Sequence, residues 1–239
     1  MKPILIIKNI TREGPGLLSA ALVEAGLTAE VIDLSAGQKI PSELQAYQGL
    51  VVLGGPMSVN DGTAHMRSLL HLIEHALQHQ WPYLGICLGM QALVKAGGGR
   101  VVACPRKEIG FLDPEGQPFT IELNSAGQHD LLFKDLESSL RVFHLHGETV
   151  ELGPDMTLLA EGRWCRHQAV RIKDHAWGLQ CHFELTAAML QNWISEDPDL
   201  QAMDPAALRQ LFADMERDYT RTGRTLLRNF LATVIQSAE

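Results

Sequence analysis

The sequence predicts an α/β fold: a mostly parallel central sheet with helices on both faces, a small antiparallel extension, and C-terminal helices. Three observations predict it. Across the first hundred residues, short apolar runs of strand type alternate with longer runs of helical apolar period. From Arg100 to Glu184 the strand-type runs crowd together, separated by turn residues. After Thr186 the apolar period is helical again.

The elements follow in order. Residues 4–7 read as a first strand, and residues 17–25 as a helix stopped by Gly26. Residues 29–34 and 50–53 are the next strands. The latter is apolar on both faces, as a buried parallel strand should be, and it ends in Gly54-Gly55-Pro56. A helix over 64–80, a strand over 83–86 and a helix after Cys87, ended by Gly97-Gly98-Gly99, complete a βαβ alternation with right-handed crossovers. Short strands are then expected at 101–103, 119–123, 141–143, 157–160, 168–172 and 176–181, the last two joined through Lys173-Asp174-His175. Thr186 can cap a helix over 187–194, and residues 205–235 form a final helix. With no repeat, low-complexity tract or linker, residues 1–239 are expected to form a single domain: a core over 1–185 and a helical extension over 186–239.

Bulk properties narrow the function. The 239 residues are 46% apolar and 20% charged, an ordinary globular composition. A net charge of −8 without a basic run argues against a nucleic-acid surface. No stretch approaches the ~20 apolar residues of a membrane span, and the N-terminal run is too short for a signal peptide. The four cysteines (Cys87, Cys104, Cys165, Cys181) form no C-x-x-C pair, so neither a zinc knuckle nor a disulfide framework is expected, and a reducing cytoplasm fits.

The most informative segment is Gly85-Ile86-Cys87-Leu88-Gly89, at a strand-to-helix junction. Flanking glycines remove side chains that would clash in so tight a turn. A cysteine there stands at a helix N-terminus, where the dipole and free N–H groups favour a thiolate and an oxyanion. Cys87 is therefore the candidate nucleophile. A thiol needs a base, and the base an orienting group. Of ten histidines, His182 is the best base: it follows a strand-type run and has Glu184 two residues on, on the same side of extended backbone. Gly54-Gly55-Pro56-Met57-Ser58 also follows a buried strand, and the N–H groups of Gly55 and Leu88 could make a two-donor oxyanion hole. From that segment alone, a plain Gly-Pro turn is the simpler account.

Together these segments resemble the class I glutamine amidotransferases of the triad type. The likeness rests on Gly85-Ile86-Cys87-Leu88-Gly89-Met90-Gln91, Gly54-Gly55-Pro56-Met57-Ser58, Gly178-Leu179-Gln180-Cys181-His182-Phe183-Glu184 and His146-Gly147-Glu148, and spans about residues 4–184. It is closest to stand-alone proteins similar to the amidotransferase part of GMP synthase, through Arg141–Thr149 and Glu108-Ile109-Gly110-Phe111. The resemblance implies a flavodoxin-like amidotransferase fold and a Cys87-His182-Glu184 triad. It implies an oxyanion hole at Gly55 and Leu88, and substrate contacts from Gln91, His146, Gly147 and Glu148. The implied reaction is hydrolysis of the glutamine amide through a glutamyl thioester, with no cofactor. The family usually has Pro between the triad His and Glu, where this chain has Phe183.

Neither a Ser-Gly-Gly-x-Asp-Ser loop nor a Walker-type loop occurs in the sequence, so the resemblance leaves two outcomes: ammonia passed to a separate ammonia-accepting synthetase, or simple hydrolysis. A γ-glutamyl hydrolase or peptidase would use the same triad on other γ-glutamyl amides. A dormant interaction subunit would keep the fold, but all three triad residues are present. His71, His75 and His79 share a helix face and could suggest a metal, yet a solvated amphipathic helix accounts for them. His144 and His146 read as strand and pocket residues rather than ligands.

Overall fold

A computed structural model of the protein describes residues 1–41 and 43–237. The first half is β1 (Ile4–Lys8), α1 (Leu17–Glu24), β2 (Ala29–Asp33), β3 (Gly49–Val52), α2 (Ala64–Gln78), β4 (Tyr83–Ile86) and α3 (Leu88–Ala96). Then come β5 (Arg100–Gly110), β6 (Thr120–Leu123), the single turn α4 (Ser125–Gln128), β7 (Ser139–Arg141), β8 (His144–Glu151), β9 (Met156–Gly162), β10 (His167–Ile172) and β11 (Ala176–Leu179). The chain closes with α5 (Ala187–Glu196), the short α6 (Pro198–Gln201) and α7 (Pro205–Gln236).

Nine strands form one sheet in the order β2-β1-β3-β4-β11-β10-β9-β6-β7. The first five are mutually parallel, and the remaining four continue antiparallel. β5 and β8 make a separate antiparallel pair. The expected extension is thus split in two. Its last strand, β11, is parallel to β4, so residues after β11 emerge at the same edge as those after β3 and β4, where the crevice of an open α/β sheet lies.

Side-chain alternation explains the layers. Ile4 and Ile6 of β1 point into a core with Leu18 and Leu22 of α1 and Leu226, Phe230 and Val234 of α7. Leu5 and Ile7 point into the opposite core, with Leu69 and Ile73 of α2 and Met90 and Leu93 of α3. A third cluster joins Phe111, Phe143, Trp193, Phe212 and Tyr219 beneath the C-terminal helices. No helix among the described residues is long and apolar enough to cross a membrane.

Several boundaries differ from expectation, the largest being the strand expected over 101–103, which runs over Arg100–Gly110 as β5. The helix expected over 64–80 ends at Gln78, because Gln80 takes a left-handed φ of 57°. The strand expected over 141–143 supplies only Arg141; Val142 and Phe143 lead into β8, Phe143 forming an isolated bridge with His182. β8 itself was not anticipated as one strand, since two histidines, a glycine and two glutamates interrupt its apolar pattern. The strand expected over 176–181 ends at Leu179. At the other end of the chain, Thr186 accepts from the Met189 N–H as an N-cap, and Asp204 caps α7, which carries Pro205 in its first turn.

Candidate active site

Cys87 occupies the turn between β4 and α3 with φ 52° and ψ −107°, a conformation that costs a non-glycine residue energy and persists only when its surroundings hold it. Three features hold it. The Cys87 N–H donates to the Leu179 carbonyl at 2.7 Å, and the Tyr83 hydroxyl donates to the Gly89 carbonyl at 2.8 Å. The two flanking glycines let α3 press onto the sheet. A Cβ on Gly89 would overlap the Val52 carbonyl oxygen, and one on Gly85 would overlap the Gly89 carbonyl. Leu88 opens α3, so its N–H has no partner within the helix. Gly55 stands beside it: a Cβ there would lie 3.3 Å from Leu88 Cδ2.

His182 follows β11. Its N–H donates to the Phe143 carbonyl at 2.9 Å, and its carbonyl accepts from the Tyr219 hydroxyl at 2.7 Å. Its Nδ1 lies 2.7 Å from Glu184 Oε1. A carboxylate accepts, so Nδ1 carries a proton, and the Cys87 side chain stands close to the ring, across the space beside Gly54. Burial pushes the imidazole's pKa down, but the Glu184 charge, the nearby Cys87 sulfur and the hydrogen bond that Nδ1–H donates to Glu184 outweigh it and hold it well above the usual value. Trp193 packs edge-on to the ring at 5.0 Å and helps exclude water. Phe183 is fully buried, and its N–H donates to Glu184 Oε2 at 3.0 Å. A proline at 183 would have no N–H to give, so the departure from the family pattern supplies Glu184 with a second anchor.

A cleft of about 320 Å³ opens over the thiol. Its wall includes Cys87, Gly55, Gln91, His146, Gly147 and Glu148. His182, Glu184 and Leu88 lie behind that wall, each about 98–99% buried. Gln91 donates to the Glu148 carbonyl at 3.1 Å and to Gln180 Oε1 at 3.3 Å. Ser58 donates to Glu148 Oε1 at 2.9 Å, tying the Gly54-Gly55-Pro56 loop to β8. The residues expected as nucleophile, base, orienting acid, oxyanion donors and substrate contacts therefore lie at or directly behind one crevice.

The geometry agrees with the comparisons to known proteins. The sequence model described as glutamine amidotransferase class-I matches residues 16–195. The chain belongs to the class-I glutamine amidotransferases. It is 32% identical over 176 residues to a glutamine amidotransferase-like protein of Salmonella typhimurium, YfeJ, covering 72% of this chain and 71% of that one. It is 29% identical over 183 residues to a GMP synthase of Porphyromonas gingivalis; that match covers 76% of this chain but 33% of the synthase. Its structure is similar to that of a glutamine amidotransferase from Methylobacillus flagellatus, with a TM-score of 0.86, 27% identity and coverage of 97% and 95% of the two chains. A glutamine amidotransferase from Thermotoga maritima gives a TM-score of 0.84 at 27% identity, covering 96% and 97%.

This amidotransferase has cleft residues that sequence reading missed. Glu13, 5% exposed, lines the cleft from the loop after β1. A Cβ on Gly54 would overlap Glu13 Oε2 while lying 3.3 Å from His182 Cε1 and 3.4 Å from Cys87 Cβ, so the three side chains share one small space. No hydrogen-bond donor among the described residues holds the Glu13 carboxyl. Burial raises its pKa from 4.5 to about 7, against the lowering pull of His182. Arg12 and Asp197, ion-paired at 2.7 Å, and the pair Lys107–Asp199 extend the same wall. The signal for Glu13 was its place after a parallel strand, at the same sheet edge as the recognised loops. Gln180, whose Nε2 lies 3.7 Å from Cys87 Sγ, was quoted within a motif but given no role. The helical histidines do not converge on a site: His71 pairs with Glu74 at 3.6 Å, while His75 and His79 stack at 4.1 Å beside Trp81.

Proposed function

We propose that this amidotransferase hydrolyses the side-chain amide of glutamine through Cys87, His182 and Glu184, releasing ammonia and glutamate. The observation that carries the reading is the strained Cys87, sharing one small space with an imidazole whose Nδ1 is 2.7 Å from Glu184. The protonated His182 ring, steadied by Glu184, pairs with the Cys87 thiolate, and that sulfur attacks the amide carbon. The N–H groups of Gly55 and Leu88 hold the oxyanion; loss of one such donor typically costs ~10²–10³ in rate. His182 then protonates the departing ammonia, leaving a glutamyl thioester on Cys87. A water molecule, giving its proton to His182, releases glutamate and restores the thiolate–imidazolium pair. Gln91 and the backbone of the His146-Gly147-Glu148 segment position the amino-acid end of the substrate. A separate synthetase would accept the ammonia, a reading supported by the similarity to one third of a GMP synthase.

A second reading has its own observation. Beyond Glu13, which adjoins the proton donor His182, the cleft wall carries Asp197 and Asp199. Asp197 and Asp199 are ion-paired with Arg12 and Lys107, so Glu13 is the carboxyl left beside His182 to favour γ-glutamyl amides of cationic amines over free glutamine. Ammonia, amine and glutamate release from glutamine, γ-glutamyl peptides and γ-glutamyl amines tests both. Higher kcat/KM for glutamine supports the first reading and higher kcat/KM for γ-glutamyl amines the second. Turnover that survives Cys87→Ala rejects both.

A further inference from the structure

We propose that Cys104, Cys165 and His146 Nδ1 form a binding site for a borderline-soft divalent metal ion, with Zn²⁺ as the best fit, on the wall behind the cleft. The three come from distant parts of the chain: Cys104 from β5, His146 from β8, and Cys165 from the turn between β9 and β10. Their ligand atoms lie within 4.8 Å of one another. Cys104 Sγ is 3.7 Å from Cys165 Sγ and 3.5 Å from His146 Nδ1. A tetrahedral zinc, with bonds of ~2.3 Å to sulfur and ~2.0–2.1 Å to nitrogen, sets S···S edges of about 3.8 Å and S···N edges of about 3.5 Å. Both observed separations match those edges. The sulfur spacing is far beyond a disulfide bond, and both cysteines are free.

The histidine is prepared for this role. Its Nε2 lies 2.9 Å from Glu108 Oε2, and Glu108 accepts in turn from Gln168 Nε2 at 2.9 Å. With Nε2–H donated to the carboxylate, Nδ1 keeps its lone pair and aims it at the sulfurs. A carboxylate behind a ligating imidazole is the usual support of a zinc site. Nδ1 also lies 3.2 Å from the Glu148 carbonyl oxygen, a second lone-pair atom. Two acceptors that close are tolerated when a cation or proton sits between them, and a proton on Nδ1 would not explain two gathered sulfurs. The other group of candidate ligands, Glu108, His144 and His146 Nε2, is fully buried, and its 2.9 Å contact is a hydrogen-bond length, shorter than the ~3.3 Å edge between nitrogen and oxygen ligands of zinc.

The backbone bends to bring Cys104 there. The β5–β8 register breaks between Ala103 and Glu108, where residues 104–107 face the single residue Gly147. Such a bulge re-aims a side chain. Cys104 is partly exposed, which gives the ion a route in and leaves a fourth position for water. Binding replaces the two thiol protons with Zn²⁺ and releases them to solvent. It clips the β8 segment His146-Gly147-Glu148, which faces the cleft, to β5 and the β9–β10 turn.

The test titrates reduced, metal-free protein with Zn²⁺ against a chromophoric chelator, and with Co²⁺ for its thiolate charge-transfer absorption. One equivalent should bind, with a thiolate–cobalt band, and zinc should raise Tm. Cys104→Ser and Cys165→Ser should each abolish the band and the tight binding, and Glu108→Gln should weaken zinc binding ~10–100-fold. Cys87→Ser and His75→Ala should leave stoichiometry and affinity unchanged. Unchanged binding in Cys104→Ser/Cys165→Ser, or no stoichiometric binding by the reduced wild type, overturns the proposal. So does binding that disappears with Cys87→Ser while surviving both of the other cysteine variants.

Discussion

Replacing Glu13 by glutamine should stabilise the protein, and the gain should depend on pH in a defined way. The Glu13 carboxyl is buried beside His182 and Glu184 with its pKa raised from 4.5 to about 7. Below pH 4.5 the folded and unfolded chains both carry the proton, and Glu13 costs nothing extra. Between pH 4.5 and 7 the unfolded chain releases it while the folded chain keeps it. The unfolded state then binds fewer protons, so stability falls as pH rises. Above pH 7 both states are ionised and the loss is complete. The interval from 4.5 to about 7, at ~1.36 kcal/mol per pH unit, amounts to about 3 kcal/mol. Glutamine has nearly the same shape and no such proton. Urea unfolding of wild type and Glu13→Gln across pH 4–9 checks this. The two should agree near pH 4, diverge through pH 4.5–7, and differ by about 3 kcal/mol above it, the variant being more stable. A constant offset, or no offset at pH 8, would refute the burial argument. The variant should also lose turnover on its preferred γ-glutamyl substrate, the usual exchange of stability for function at a strained site.

Four other outcomes follow from the same geometry. Glu184→Gln has one oxygen for two donors, the His182 Nδ1–H and the Phe183 N–H, so its amide must oppose one of them; kcat should fall ~10²–10⁴-fold in a steady-state ammonia assay. Because the pKa of His182 is raised in the fold, the stability lost in Glu184→Gln, ~1.5–3 kcal/mol, should be fullest below about pH 6.5 and shrink as pH rises through the raised value, as read by urea unfolding at pH 6 and 9. Gly89→Ala drives a Cβ into the Val52 carbonyl and must lift α3 off β3; urea unfolding should show ~1–3 kcal/mol destabilisation, and a displacement of about 1 Å at Cys87 should cost ~10² in kcat. Phe183→Pro, although it restores the family's usual residue, removes the N–H to Glu184 and a fully buried ring; it should destabilise by about 3 kcal/mol or more, whereas Phe183→Leu, which keeps the N–H, should retain activity.

The parallel half of the fold and the placing of Cys87, His182 and Glu184 at one sheet edge were legible because their determinants are local. A glycine-flanked cysteine between a strand and a helix, and a His-x-Glu after a strand, each specify geometry within seven residues. The resemblance then assembled segments that stand far apart in the chain. What stayed hidden is non-local or polar. β8 carries His144, His146, Gly147 and Glu148, and its strand character comes from pairing with β5 rather than from apolar alternation. β11 reads like the strands before it, and nothing in its own residues says that it pairs parallel to β4. Glu13 looks like an ordinary loop acid until the Gly54 turn closes over it, and Asp197 until Arg12 reaches it across the cleft wall. The Cys104–His146–Cys165 triangle has no sequence spacing to betray it, because a break in strand register creates it.

The central claim is that the Cys87 sulfur attacks a γ-glutamyl carbonyl with His182 as its base. The most direct measurement reacts the protein with a diazo-ketone analogue of glutamine and locates the adduct by peptide mass spectrometry, alongside glutamate release from the γ-glutamyl panel. Stoichiometric labelling on Cys87, blocked by substrate and greatly slowed by His182→Ala, with no glutamate released by Cys87→Ala, is the predicted result. Labelling on another cysteine, or glutamate release undiminished in Cys87→Ala, would contradict it.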